Sequence, residues 1–437
     1  MIVKPGNALR GTMTLPGDKS ISHRAILFAA LADGESVIDN VLVSGVTEAM
    51  LRALTALGVP WQLDGTRLTV QGGGLHGLQS PSAPIDCGNS ATTIRLLAGV
   101  LAGAGVTAVL DGSPGLRRRP MRRVVAPLQQ MGVALTAVDG CAPLTLAVGK
   151  RPLQALTYTL PVASAQVKSC LLLAALAAAG PTTLTEPGPS RDHTERMLRQ
   201  MGVQVEEGAG QEAAQERWVR LYPPETALRP LQITIPGDMS SAAFLLVAAL
   251  LTPGSLVTLA GVGLNPTRTG LLDALRSMGA DIAISNEQEM AGEPMGDITL
   301  RAGELHGTEI GGDLVVRMID EFPAFAVAAA LAEGQTTVRD ALELRHKESD
   351  RITMLCQELQ AVGADVTETA DGFVIYGKPL LTGGTINPHR DHRLAMSLAV
   401  AGLRSVNGIT VQGAEIINES FPSFAQNLSE LGAAISV

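Results

Sequence analysis

Apolar positions along the chain fall into two alternating patterns. The first is an Ala- and Leu-rich run with no polar face: AILFAALAD, TIRLLAGVLAGA, SCLLLAALAAA, AAFLLVAALLTP, AFAVAAALAE and RLAMSLAVAGL. Each is followed by Gly and a β-branched stretch: GESVID from Gly34, GVTAVLDG from Gly105, GPTTLTEPG from Gly180, GSLVTLAG from Gly254, GQTTVRDA from Gly334 and GITVQGAE from Gly408. A run that is apolar on every side predicts a helix buried all round. The β-branched stretch predicts a strand. The second pattern is amphipathic and closes on LTALGV, LQQMGV, LRQMGV, LRSMGA, LQAVGA or LSELGA, with Gly at 58, 132, 202, 279, 363 and 432. Glycine there predicts a helix stop, because it enters the left-handed conformation cheaply. In 352–362, Ile352, Leu355, Leu359 and Val362 share one helical face. A short alternating strand is predicted next, as in DIAIS at 281–285 and DVTET at 365–369.

The two patterns recur together six times, about every 75 residues, which makes the chain a repeat array. Each unit reads helix, strand, loop, helix, strand, strand. Six units are too many for one core, so three plus three predicts two similar α/β domains. A continuous solenoid of six units is the alternative. A longer motif also occurs twice: LPGDKSISHRAILFAALADG at 15–34 and IPGDMSSAAFLLVAALLTPG at 235–254. The two Pro-Gly-Asp segments, at 16–18 and 236–238, lie where the chain should cross between domains, with crossings near 16–19 and 235–238. Only the first carries Lys19, His23 and Arg24.

Composition narrows the function. Net charge is −9 and aromatic residues are 3% of the 437, which disfavours nucleic-acid binding by charge or by base stacking. Cys87, Cys141, Cys170 and Cys356 are scattered with no CxxC pair, which opposes a zinc site or disulfide framework and suits a reducing cytosol. The N-terminal stretch MIVKPGNALRGTMTLPG has no signal-peptide run, and the longest apolar run, at 242–251, falls short of the about 20 residues a membrane span needs. A cytoplasmic protein with no membrane association is expected.

The starts of the buried helices carry the candidate chemistry: GDKSISHR, CGNSATTIR, VASAQVKS, PGDMSSAA, IDEFPAF and HRDHRLA. Ser, Asp, Asn and Thr there are ordinary N-caps, which accounts for Asp238, Ser240 and Ser241. It does not account for Lys19, Arg24, Arg95, Lys168, His392 and Arg393. A cation near a helix N-terminus opposes the macrodipole, unless an anion lies between the cation and the free N–H groups. Several such starts point to a cleft for a small polyanion bearing phosphate, carboxylate or both. The loop SPGLRRRPMRRVV at 113–125 adds Arg117, Arg118, Arg119, Arg122 and Arg123, a pattern a solvated patch would also show. In LRHKESDRI at 344–352, continuing the helix backwards from Ile352 and Leu355 puts Glu348 and Arg351 on the inward side. Charges there need a partner or a ligand. A structural ion pair and an acid/base beside an anion clamp both satisfy that need.

Taken in order, PGDKSISHRA, CGNSATTIRLL, SPGLRRRPM, ASAQVKSCLLLAAL, PSRDHTERM, IDEFPAFAVAAALAEG, ELRHKESDRI and DHRLAMS resemble one family, the 5-enolpyruvylshikimate-3-phosphate synthases (3-phosphoshikimate 1-carboxyvinyltransferases). The resemblance implies an α/β (α+β) fold of two domains, each with three βαβαββ repeats and buried parallel helices, an inside-out α/β barrel. Residues 16–235 would form the first domain, and 1–15 with 236–437 the second. It implies transfer of the carboxyvinyl group of phosphoenolpyruvate to the 5-hydroxyl of shikimate-3-phosphate, with loss of phosphate and without metal or organic cofactor, in a monomer. It places Lys19, Ser20, Arg24, Ser164, Ala165, Gln166, Arg191, Asp320 and Lys347 on shikimate-3-phosphate. It places Lys19, Ala91, Arg119, Gln166, Arg351 and Arg393 on phosphoenolpyruvate. Asp320 would take the proton of the 5-hydroxyl and Glu348 would protonate the methylene carbon, with Lys19 sharing the proton traffic. His23, His193, His346 and His392 are expected to orient neighbours, Lys168 to face solvent, and Asp320 has helix capping as a competing role.

Some positions depart from the family pattern. The loop SGVTEAM at 44–50 lacks an Asp after its Ser, and Glu343 and Glu419 stand where one branch has Asn and Lys, so neither is given a role. Ala91 stands where branches sensitive to the inhibitor glyphosate have Gly. The resemblance therefore points to the insensitive branch. Two rivals remain. A UDP-N-acetylglucosamine enolpyruvyl transferase would carry a Cys in the Arg-rich loop, and 113–123 has none. A noncatalytic anion binder would gain nothing from Asp320 and Glu348 among its cations.

Overall fold

Every all-round apolar run forms a helix in the computed structural model, which describes residues 1–147, 149, 151–210 and 216–437. The six are Lys19–Leu31, Ala91–Ala104, Ala165–Ala175, Met239–Leu251, Phe322–Ala330 and His392–Ala401. All 13 residues of Met239–Leu251 are buried, as a helix without a polar face requires. The amphipathic segments form Gly45–Ala56, Arg122–Gln130, His193–Gln200, Gly270–Ser277, Arg351–Ala361 and Phe424–Glu430. Their six closing glycines have φ between 77° and 105°, the left-handed region that a side chain would strain. Ile352, Leu355, Leu359 and Val362 are all buried on one side of their helix, as the spacing predicts.

The strands assemble into four-stranded sheets, six among the described residues. Thr157–Thr159, Thr182–Glu186, Arg217–Leu221 and Val205–Ala209 show the plan. The first two pair in parallel across the buried helix Ala165–Ala175, and the others add antiparallel. A parallel pair needs such a crossover, and the helix provides it. Strands remote in sequence complete three sheets. Gln232–Thr234 pairs in parallel with Asp33–Asp39, and Arg10–Thr14 pairs in parallel with Leu256–Gly263. Ile2–Lys4 lies between Ile409–Val411 and Ala434–Ser436, antiparallel to both.

The chain divides into two compact units. The first domain comprises 17–235 with 290–293; the second comprises 1–16, 236–289 and 294–437. Each has its own apolar core. The short segment 290–293 joins the first domain through polar contacts with the helix His193–Gln200. Arg196 Nη1 donates to the Gly292 carbonyl at 2.7 Å, and His193 Nδ1 lies 2.7 Å from Glu293 Oε1.

The two Pro-Gly-Asp segments share one device. Asp18 accepts from the Ile21 N–H at 2.9 Å, and Asp238 from the N–H groups of Ser240 at 2.6 Å and Ser241 at 3.3 Å. Each caps the helix that follows, as sequence position predicts. The glycines differ. A Cβ on Gly17 would stand 1.8 Å from the Asn40 carbonyl oxygen, whereas one on Gly237 would meet nothing nearer than the Leu15 side chain at 3.2 Å.

His23, in the helix Lys19–Leu31, is buried. Its Nδ1 lies 2.8 Å from the Lys19 carbonyl, which can only accept, so Nδ1 carries the proton. Nε2 is left to accept from the Ser90 hydroxyl at 3.3 Å. Burial, with the nearby positive charges of Lys19 and Arg24, pushes the pKa down to about 4 against the partial opposition of the Lys19 hydrogen bond. The ring is thus neutral in the folded chain and charged in the unfolded chain between pH 6.5 and about 4.

Gly17→Ala is expected to destabilise the chain by about 3 kcal/mol or more, through a clash with fixed backbone, and Gly237→Ala by under about 1.5 kcal/mol. Urea unfolding of the two variants side by side checks the difference. Because the folded-state pKa of His23 is depressed, its contribution is present above pH 6.5 and is lost as pH falls toward 4. The loss is about 3 kcal/mol. His23→Asn, which keeps a donor for the Lys19 carbonyl, should show a shallower fall in stability over that window; an equally steep fall would remove His23 as its source.

Candidate active site

In the first domain, polar residues gather at the starts of three buried helices. Lys19 and Ser20 open the helix Lys19–Leu31, and Arg24 follows one turn later. Arg24 is 2% exposed, and all three of its nitrogens are engaged: Nε with Thr194 Oγ1 at 2.8 Å, Nη1 with the Ser20 carbonyl at 2.9 Å, and Nη2 with Ser169 Oγ at 2.8 Å. These partners are neutral. Burial therefore lowers the Arg24 pKa to about 10, opposed in part by Glu195. Arg191 Nη1 reaches Ser20 Oγ at 3.4 Å, which brings a second guanidinium to the same helix start.

Ser164 is the N-cap residue of Ala165–Ala175, and Ala165 and Gln166 form its first turn. Gln166 is held from two sides. Arg95 Nη1 donates to its Oε1 at 2.5 Å, and its own Nε2 donates to Thr92 Oγ1 at 3.0 Å. Arg95 also donates through Nη2 to the Pro120 carbonyl at 3.0 Å, so one side chain steadies both Gln166 and the segment bearing Arg119. Arg119 is half-buried at the end of the short turn Leu116–Arg118. Ala91 is the buried first residue of Ala91–Ala104, capped by Ser90.

Lys168 corrects an expectation. It does not face solvent: it is 3% exposed and its Nζ lies 2.7 Å from Glu186 Oε1 and 2.8 Å from Glu195 Oε1. Burial would lower its pKa, but the two carboxylates outweigh burial and the net direction is up. Glu186 in turn accepts from the Ser190 hydroxyl at 2.6 Å. The triad thus fixes the segment that presents Arg191.

In the second domain, one carboxylate faces three cations. Asp320 Oδ1 lies 3.4 Å from Arg351 Nη1 and 3.7 Å from Lys347 Nζ, and Oδ2 lies 3.8 Å from Arg393 Nη2. Arg393 Nη1 also donates to the Asp320 carbonyl at 3.2 Å. Asp320 does not cap the next helix: Glu321 occupies the N-cap position of Phe322–Ala330, with no side-chain cap. Glu348 departs from the helical reading too. The helix begins at Arg351 behind the cap Asp350, so Glu348 stands in the preceding segment. It nevertheless meets Arg351, accepting from Nη2 at 2.6 Å.

Arg351 is the centre of this cluster. At 1% exposed, it donates to Asp391 Oδ2 at 2.8 Å through Nε and to Oδ1 at 3.3 Å through Nη2. Asp391 also accepts from the Arg393 N–H at 2.9 Å and from Ser349 Oγ at 3.1 Å. Burial pushes the Asp391 carboxyl up, the charge and hydrogen bond of Arg351 together with His392 pull it down, and the net direction is down. Sequence reading missed Asp391, although its place before His392 was the available signal. His392 Nδ1 lies 3.8 Å from Glu419 Oε2, and His346 is exposed. Of the other expected orienting histidines, His193 meets Glu293. The described residues contain no group of three His, Cys, Asp or Glu side chains placed to hold a metal, and no helix long and apolar enough to cross a membrane.

Known proteins resemble this chain in sequence and fold along nearly its whole length. The sequence family described as EPSP synthase (3-phosphoshikimate 1-carboxyvinyltransferase) matches residues 3–428. The 3-phosphoshikimate 1-carboxyvinyltransferase of Geobacter sulfurreducens is 49% identical over 427 residues, 98% of each chain. The solved EPSP synthase of Acinetobacter baumannii has a TM-score of 0.86 at 41% identity, covering 99% of this chain and 98% of its own. The enolpyruvyl transferase NikO of Streptomyces tendae shares the fold, with a TM-score of 0.81 at 21% identity over 99% of this chain and 97% of its own. The chain, matched along nearly its whole length, belongs to the EPSP synthase family.

Proposed function

We propose that this chain transfers the carboxyvinyl group of phosphoenolpyruvate to the 5-hydroxyl of shikimate-3-phosphate and releases phosphate, a step of the shikimate pathway to aromatic amino acids. Membership of the family supports the reaction class. The observation that carries the residue roles is the Asp320 carboxylate standing 3.4–3.8 Å from three cations, with Glu348 sharing one of them. A pure anion site would not place carboxylates among its cations.

In this reading the first-domain set serves shikimate-3-phosphate. Lys19, Ser20, Arg24, Ser164, Ala165, Gln166 and Arg191 offer cations, hydroxyls and helix N–H groups, which suit phosphate and hydroxyl oxygens. Lys347 and Asp320 add to that set. Arg119, Arg351 and Arg393 are assigned to phosphoenolpyruvate, as are Lys19, Gln166 and Ala91. A guanidinium fork matches a carboxylate or phosphate bidentately, where lysine offers a point charge.

The charges also set the order of events. Without ligand, Asp320 and Glu348 are balanced by Lys347, Arg351 and Arg393. Opposite charges at this range favour ionised carboxylates and make them weak bases. A phosphate and a carboxylate arriving on the arginines compete for the same guanidinium protons. Each carboxylate then keeps less of its balancing charge and binds a proton more readily. Asp320 takes the proton of the 5-hydroxyl as its oxygen bonds to C2 of phosphoenolpyruvate, while Glu348 gives a proton to the methylene carbon. The tetrahedral ketal then loses phosphate from C2 and a proton from the methyl carbon, restoring the double bond. Lys19 shares this proton traffic. The chain acts in the cytoplasm as a monomer without metal or organic cofactor.

Phosphate release from phosphoenolpyruvate should require shikimate-3-phosphate, and release independent of it, or none at all, would refute the assignment. Asp320→Asn should keep both KM values within a few-fold and lose roughly a thousand-fold in kcat; unchanged turnover would take the base role from Asp320. Ala91 carries the proposal that the enzyme belongs to the glyphosate-insensitive branch. Its methyl group would crowd an inhibitor longer than phosphoenolpyruvate, so Ala91→Gly should be inhibited more tightly than wild type. Equal, tight inhibition of both would count against that role.

A further inference from the structure

We propose that the buried carboxylate of Glu321 is a positioning residue for Asp320, held by Ser240 and Arg268; this rests on the role given to Asp320 above. Glu321 is 0% exposed. It stands at the N-cap position of Phe322–Ala330 but makes no side-chain cap. Its Oε1 instead accepts from the Ser240 hydroxyl and lies 3.9 Å from Arg268 Nη2. That same Nη2 donates to Ser240 Oγ at 2.9 Å and to Asp238 Oδ1 at 3.3 Å. Asp238, Ser240 and Arg268 are each no more than 4% exposed. The second Pro-Gly-Asp segment thus reaches past its own helix to the residue adjoining Asp320.

Stability alone does not explain a glutamate here. A Ser, Asp or Asn would cap the helix with a short side chain. A buried carboxylate carries a desolvation penalty that full hydrogen bonding must offset, yet Glu321 Oε2 has no hydrogen-bond partner among the described residues. A buried polar atom left without a partner is uncommon and marks places where geometry is maintained at the expense of stability.

The geometry that Glu321 maintains is that of one peptide unit. The Asp320 carbonyl accepts from Arg393 Nη1 at 3.2 Å, and the Glu321 N–H donates to the Met318 carbonyl at 2.9 Å. The Glu321 side chain supplies a third anchor from the Ser240–Arg268 side. Three anchors fix the peptide from which the Asp320 carboxylate projects toward Lys347, Arg351 and Arg393. A base must lie within hydrogen-bond reach of its proton, and a displacement of about 1 Å costs on the order of a hundred-fold in rate. Releasing one anchor should therefore lower turnover while leaving the substrate-binding cations in place.

The test is steady-state kinetics of Glu321→Gln and Ser240→Ala, with thermal midpoints and the pH profile of kcat recorded for each. Glu321→Gln should lose at least about ten-fold in kcat, with both KM values within about two-fold of wild type. Ser240→Ala should lose less, in the same direction. The double variant should lose no more than Glu321→Gln alone, because both changes break one contact. The acidic limb of the pH profile should move in Glu321→Gln, since the environment of the base changes; a merely structural residue would lower the midpoint and leave that limb in place. A kcat for Glu321→Gln within two-fold of wild type overturns the proposal. If that variant does not fold, a wild-type kcat and pH profile in Ser240→Ala overturns it instead. Wild type lacking phosphate release dependent on shikimate-3-phosphate would sink the assigned reaction; an active wild type, an inactive Asp320→Asn and a normal Glu321→Gln would sink only this inference.

Discussion

The buried guanidinium of Arg351 is the contact on which the second domain's polar cluster depends. A charge 1% exposed is tolerable only if its partners replace the water it has lost. Asp391 and Glu348 do so with hydrogen bonds, and Asp320 adds charge at 3.4 Å. Removing one partner of such a buried pair costs about 3–5 kcal/mol, because the other charge is left uncompensated. That scale explains how the arrangement is kept. Asp391 caps His392–Ala401 through the Arg393 N–H while it holds Arg351. One ion pair therefore sets the start of two helices and, through them, the places of Arg351, Arg393 and the carboxylates they face.

The first domain treats its buried arginine differently, and the difference divides the labour. Arg24 is surrounded by the Ser20 carbonyl and two hydroxyls, all neutral. Glu195 offsets its charge only in part, and burial draws its pKa down to about 10. Lys168, by contrast, is cancelled by Glu186 and Glu195. Arg24 and Arg191 bring two guanidinium groups to one helix start. The two domains thus hold their buried arginines in contrasting ways, Arg24 among neutral groups and Arg351 among carboxylates.

Repetition made the fold readable. The Gly stops at 58, 132, 202, 279, 363 and 432 and the all-round apolar runs are local signals, and both elements formed where the pattern put them. The sheet partners of the terminal strands were not readable, since Ile2–Lys4 and Gln232–Thr234 pair far from their sequence neighbours. Cations at helix starts exposed Lys19, Arg24 and Arg393 because they oppose the dipole there. Asp391 and Asp238 escaped because a capping Asp looks the same whether or not a guanidinium lies behind it. Lys168 was misread as exposed because its partners, Glu186 and Glu195, lie 18 and 27 residues further along the chain. Glu348 was placed on a helix that the Asp350 cap starts later, which the apolar spacing alone could not show.

The duplicated Pro-Gly-Asp frame carries the clearest record of divergence. Both copies retain the part that builds the helix: a glycine and a capping aspartate. Beyond the cap, the first copy continues with Lys19, Ser20 and Arg24, and Arg24 is held by Ser20, Ser169 and Thr194. The second continues with Met239 and Ser240, and the nearest guanidinium, Arg268, is turned inward onto Asp238, Ser240 and Glu321. Polar residues thus persist at both helix starts, but in the second copy they bond to one another. A helix start relieved of binding an anion has no use for a free cation, and a buried free cation would cost several kcal/mol. That network ties the second copy to Glu321, the neighbour of Asp320, whereas the first copy is tied through Arg24 to Ser169 and Thr194.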